Sequence, residues 1–123
     1  MNAAELQAAL YAAKQEVDDA FGEFRLAIEF DAIRDDEKRR AMARATIACR
    51  EQDPKATVGV IAAMVDLETA DVQKHARLAE GLKRSAGMAV DAKKQWLSAL
   101  QSLASLTKAE AQLAAWEPRE VSA

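Results

Sequence analysis

The sequence predicts an all-α fold, a helical bundle with one long coiled-coil-like helix and two shorter antiparallel segments. Three observations lead there. No stretch alternates apolar and polar residues with a period of two, and no Asn-Gly or Asp-Gly hairpin turn occurs. Half of the 123 residues are apolar, yet the aromatic residues are three Phe, two Trp and one Tyr, and alanine fills much of the rest. Alanine loses no side-chain entropy in a helix, and its small side chain lets helix axes approach. Finally, Leu82 to Trp116 keeps a heptad. With Leu82 at position a, Ala89, Trp96 and Leu103 follow at a, and Ser85, Ala92, Ala99, Leu106 and Leu113 fall at d, with Glu110 the charge on that seam. A stripe held that long calls for a partner helix.

The length suits one domain with one core, assigned here to 1–117, with 118–123 as a C-terminal tail. Within it, the first helix is expected from Ala3 to about Phe30. Leu6, Leu10, Ala13, Val17, Ala20, Phe24 and Ala27 step by four and three onto one stripe, widened by Phe21 and Ile28. Gly22 inside it marks a close approach of a neighbouring helix. Asp31 to Glu37 offers several N-caps for a new helix from about Asp35 to Arg50, with Ala41, Met42, Ala45, Ala48 and Cys49 inward. The alternative is that the first helix continues through this stretch after a kink. Asp35 with Arg39 and Asp36 with Arg40 are spaced as ion pairs on a solvated face.

Asp53-Pro54 is the clearest break, with Asp53 as cap and Pro54 in the first helical position of the last helix. That helix has no strong stop before Pro118. Its apolar face opens with Val58, Ile61, Ala62 and Val65 and continues with Val72, Ala76 and Ala79. Unbroken, it would run to about 90 Å at 1.5 Å per residue, against about 42 Å for the first helix. Gly81 and Gly87 bracket the window where it would bend or cross another helix closely.

Composition excludes several function classes. Seventeen basic against twenty acidic residues give a formal charge of −3, which does not mark a nucleic-acid binder. Cys49 is alone, so no intrachain disulfide forms; it reads as a packed apolar residue in a reducing, cytoplasmic compartment. No signal peptide and no run of 18 apolar residues is present, and no membrane association is expected. One His and one Cys give no catalytic triad, and no glycine-rich phosphate loop occurs. The chain is therefore read as a non-enzyme without cofactors. Glu68, Asp71 and His75 fall at i, i+3 and i+7, but helical metal sites usually recruit a second helix, and Asp71 is expected to pair with Lys74 or His75 instead.

Two binding surfaces remain. Trp96, Leu100, Leu103, Leu106, Leu113 and Trp116 are the candidate protein interface. Trp96 at an a position is core of that seam, and Trp116 is an exposed anchor. The two shorter segments cannot cover the far half of the long helix, so a homodimer or a heteromeric protein partner is expected to grip residues 96–113. The rival surface is basic: Arg39, Arg40, Arg44 and Arg50, extended by Arg77 and Arg84, could track phosphates. Asp31, Asp35, Asp36, Glu37 and Glu80 dilute it, and no aromatic interleaves with it as a base-stacking platform requires. Tight binding of duplex DNA is not expected.

A family resemblance adds a setting. Arg44-Ala45-Thr46-Ile47-Ala48, Thr57-Val58, Leu97-Ser98-Ala99-Leu100-Gln101-Ser102 and Lys108-Ala109-Glu110-Ala111 form a pattern that resembles small helical proteins of tailed bacteriophages, encoded in early cassettes near recombination genes. It covers about two thirds of the chain. Asp53-Pro54-Lys55-Ala56 stands where the similar proteins often place a glycine before Thr-Val. The resemblance implies a phage setting and no catalytic residues.

Overall fold

The computed structural model describes residues 1–116, so the expected tail 118–123 lies outside them. Every element among them is helical: α1 (Ala3–Gln52), α2 (Val58–Glu68) and α3 (Ala70–Ala115). The all-helical bundle class is as the sequence predicts. The division into elements differs at three places, each with a local cause.

The first difference is the Asp31–Glu37 stretch, which starts no new helix: the alternative of a continuing first helix holds, and α1 runs through it as 50 unbroken residues. The acids that looked like caps are taken by neighbours one turn away. Arg34–Glu37 closes at 2.9 Å, Arg39–Asp35 at 3.0 Å and Arg40–Asp36 at 3.1 Å. Such pairs each add about 0.2–0.5 kcal/mol to helix already formed. The true start of α1 is capped reciprocally: the Glu5 amide donates to Asn2 Oδ1 at 2.8 Å, and the Asn2 amide to Glu5 Oε2 at 3.1 Å.

After α1, Pro54 does not open a helix. The chain turns at Pro54-Lys55, the Ala56 amide donates to the Asp53 carbonyl, and α2 starts at Val58. Thr57 is the cap, its hydroxyl oxygen accepting from the Val60 amide.

The expected last helix, finally, is divided at Thr69. The Thr69 hydroxyl donates back to the Val65 carbonyl at 2.7 Å and accepts from Gln73 Nε2 at 2.9 Å, and its backbone sits at φ −104, ψ 12. Thr46 and Thr107 bond their own i−4 carbonyls in the same way inside unbroken helix, so the hydroxyl bond alone does not end α2; the break lies in the Thr69 backbone dihedrals, without glycine or proline. Beyond it α3 is helical straight through the Gly81–Gly87 window. Gly22 has nothing within 4 Å of where a Cβ would stand, so it marks no close helix approach.

The chain forms two compact units: Met1–Phe21 with the segment from Ala89 onward, and Gly22–Met88. In the first, α1 and α3 pack antiparallel. Leu6, Ala13 and Leu100 form the buried centre, with Ala9, Leu10, Leu97 and Ala104 against it. Glu16 meets Lys93 at 3.3 Å, and the Lys94 ammonium lies 4.7 Å from the Phe21 ring centre. In the second unit, Ala45, Cys49, Ile61 and Val65 form the centre where α1 meets α2, with Met42, Ala56 and Met64 beside it. Further along, α3 again opposes α1: a Cβ on Gly87 would touch the Phe24 ring at 3.4 Å, and Lys83 Nζ meets Asp31 at 2.9 Å.

The expected stripe of α1 is the buried one, from Leu6 to Ala27, while Phe21 and Ile28 lie outside it, exposed. Ala48, Val58 and Ala62, expected inward, are exposed as well. Cys49 packs as expected and has no exposed surface.

Asp31 and Lys83 place a part-buried ion pair between α1 and α3. The Asp31 hydrogen bond and charge hold the Lys83 ammonium above the usual lysine value of 10.5. A folded-state pKa raised in this way gives stability that is complete below the unfolded value and is lost as pH rises through the folded one. The urea midpoint of the wild type should therefore fall more steeply above about pH 10.5 than that of Lys83→Met. Parallel profiles for the two would show that the pair contributes nothing.

Candidate functional site

In the unit that contains its C-terminal half, α3 carries two apolar stripes, one residue apart. Val90, Leu97, Leu100 and Ala104 face α1 and are buried or half-buried. Ala89, Trp96, Ala99 and Leu103 each precede one of those positions. At 3.6 residues per turn, one residue is about 100° of rotation. The heptad read from the sequence is thus present but points away from α1, and the seam against α1 is the neighbouring one. Trp96 is not core: it is 53% exposed, and Leu103, Leu106 and Leu113 are exposed with it. Leu100 departs from the predicted interface in the other direction, at 2% exposed in the packing against Leu6 and Ala13. Trp116, 83% exposed just past the end of α3, stands where an anchor would.

The exposed stripe is bordered unevenly. On its outer side Gln95, Ser102 and Ala109 carry no charge. A separate concave groove lies on the seam, where Ala3, Leu6, Gln7 and Leu10 of α1 meet Ala104, Thr107, Lys108 and Ala111 of α3. An exposed apolar stripe of this kind is what a protein interface offers, with a tryptophan at its centre.

The basic residues are spread and mostly engaged. Arg39 and Arg40 are held by Asp35 and Asp36, and Arg84 closes on Glu80 at 3.1 Å. Arg50 donates to the Ala56 carbonyl at 2.8 Å, tying α1 to the turn before α2. Arg44 and Arg77 make no ion pair among the described residues. The structure therefore gathers no open cluster of cations from these six.

The metal-ligand spacing does not survive Thr69: Glu68 ends α2, whereas Asp71 and His75 are on α3. Among the described residues no group of three His, Cys, Asp or Glu could hold a metal, and Asp71 makes no ion pair with Lys74 or His75. Burial, with the Glu68 carboxylate adding to it, pushes the Cys49 thiol up, so it stays protonated and closed to reagents. No described helix is long and apolar enough to cross a membrane.

Sequence reasoning missed one surface. In the unit Gly22–Met88, Leu26, Phe30 and Ile33 of α1 and Leu78 and Leu82 of α3 are all exposed. Each directly precedes a residue of the seam between the helices, namely Ala27, Asp31, Arg34, Ala79 and Lys83; that seam is set by how α1 and α3 pack, so no signal in the sequence alone gathers the five. The chain matches no family model, no curated protein and no solved structure.

Proposed function

We propose that this chain is a non-enzymatic accessory protein of bacteriophage type, working in the cytoplasm of the bacterial host by gripping another protein. The observation that carries this is the exposed stripe Trp96, Leu103, Leu106 and Leu113, ending at Trp116. Keeping large apolar side chains in water at heptad spacing has a use when a helix from a partner covers them. The phage setting comes from the sequence resemblance. Two partners suit it: a host defence or nuclease complex that is inhibited, or a phage recombination protein that is assisted.

Trp96→Glu tests this reading. Trp96 is outside the buried seam, so the variant should keep its helicity. It should weaken capture of the bacterial protein retained by the wild type by about 10- to 100-fold, the equivalent of one buried aromatic side chain. Equal capture by both would remove the stripe from the function. Duplex DNA binding at physiological salt that falls steeply as salt rises would replace this reading by a DNA-binding one, because that slope counts released counterions.

A further inference from the structure

Within the unit of Met1–Phe21 and the segment from Ala89 onward, the Trp96 stripe has an edge of one sign. Glu5, Glu16 and Asp19 of α1 directly precede Leu6, Val17 and Ala20 of the buried seam. On α3, Trp96 and Leu103 directly precede Leu97 and Ala104. In two antiparallel helices facing each other, a displacement of one residue in the same sense turns both sets toward the same flank. The three acids therefore lie beside the stripe, and all three are exposed. Glu110, also exposed, is in the stripe itself, one heptad after Leu103. Lys93 reaches this flank as well, but its ammonium is held by Glu16 at 3.3 Å. The other described cations of this unit are on the opposite flank. Lys14 follows Ala13, Lys108 follows Thr107 of the groove, and Lys94 lies over Phe21, which follows Ala20. Asp19 and Glu110 make no ion pair among the described residues.

We propose, resting on the protein-binding role assigned to this stripe above, that its occupant is an amphipathic helix with a basic edge on a partner protein. Apolar residues of that helix at heptad spacing cover Trp96, Ala99, Leu103 and Leu106. Its Lys or Arg edge lies over Glu16, Asp19 and Glu5, where the charges are complementary. Its other edge, against Gln95, Ser102 and Ala109, needs no charge. A cation opposite Glu110 fixes its register along the stripe. From Trp96 to Leu113 is about 26 Å, so a segment of about 18 residues spans the site.

Charge also argues against a second copy of this chain as the occupant. A two-fold axis across the helices stacks α1 on α1 and brings the acids of one copy onto those of the other. A two-fold axis along the helices lays α1 over α3, and its acids then cover the apolar stripe with no cation to meet them.

Three tryptophan-free peptides of about 18 residues test the proposal. All carry leucine at the a and d positions and differ along one edge, which is Lys, Gln or Glu. Each is titrated into the full chain at low salt, and the blue shift of tryptophan emission reports burial of the half-exposed Trp96. The Lys-edged peptide should bind about 10-fold more tightly than the Gln-edged one, from three or four exposed ion pairs at roughly 2-fold each. The Glu-edged peptide should bind most weakly, and the differences should shrink at high salt. Asp19→Lys with Glu110→Lys should abolish the preference for the Lys edge. Asp18→Lys with Asp91→Lys makes the same change of net charge on the opposite flank, since these acids follow Val17 and Val90, and should keep it. Trp96→Glu should weaken all three peptides. In sedimentation equilibrium the chain without peptide should weigh 13.4 kDa. Equal affinity for the three peptides, or equal loss of preference in the two double variants, would overturn the basic edge while leaving the stripe a helix-binding surface. Binding of none of them, or a wild-type dimer that Trp96→Glu dissociates, would overturn the proposed occupant. Capture of the bacterial protein is a separate readout, and it decides the protein-binding role whichever peptide is preferred.

Discussion

Leu100→Ala should lower the unfolding free energy by about 2–5 kcal/mol, whereas Leu103→Ala, less than one turn away, should cost under about 1 kcal/mol. The two leucines are chemically identical and lie on the same helix. Leu100 is buried among Leu6, Ala13, Leu97 and Ala104, and in a centre with so few large side chains a truncated one leaves a space its neighbours cannot close. Leu103 is already exposed, so its truncation removes little contact. Urea unfolding followed by circular dichroism checks both. Equal losses would mean that both stripes of α3 are covered in solution, and a larger loss at Leu103 would reverse the assignment of the seam.

This pair of leucines also shows how far the sequence could be read. On α1 the apolar stripe from Leu6 to Ala27 is legible because it is the single continuous one in that stretch, and it is the stripe that packs. On α3 two stripes compete, and size misleads. The stripe with the larger side chains, Leu82, Trp96, Leu103, Leu106 and Leu113, is outside. The buried one contains Ala76, Ala79, Val90, Leu100 and Ala104, and even the half-buried Lys83. Small residues lie inside because α1 presents alanines at 13, 20, 27, 41 and 45, and two alanine-rich faces gain most by approaching closely. The hydrophobic period is thus fixed by the residues, but its phase is decided by the partner helix. A one-residue error of phase turns the face by about 100°.

The limits of the elements were hidden for a related reason. Acids at 31–37 suit a helix start and a helix interior equally, and the arginines and lysine one turn on decide for the interior. α2 ends at the backbone of Thr69, with no glycine or proline to announce it, and the same hydroxyl bond at Thr46 and Thr107 interrupts nothing. For the candidate interface, the sequence identifies Trp96, Leu103, Leu106, Leu113 and Trp116 as a set on α3. It cannot separate Leu100 from them, since that takes knowing which way α3 faces. The flank around Phe30 and Leu82 needs both helices placed antiparallel before its five side chains come together.

Small-to-large substitution probes the same phase from the opposite direction. Ala79 has no exposed surface, and extra methylenes there must push into the neighbouring helix or force strained rotamers. Ala79→Leu should cost about 1–3 kcal/mol. Ala92→Leu adds the same atoms at a position the sequence-derived heptad placed on its seam and the structure leaves exposed, so it should change stability by no more than about 0.5 kcal/mol. Helix propensity does not separate the two, because alanine is replaced by leucine on the same helix in both cases. A comparable loss at 92 would mean that the outer stripe is packed as tightly as the inner one, and the free surface assigned to Trp96 and its neighbours would then be occupied by protein.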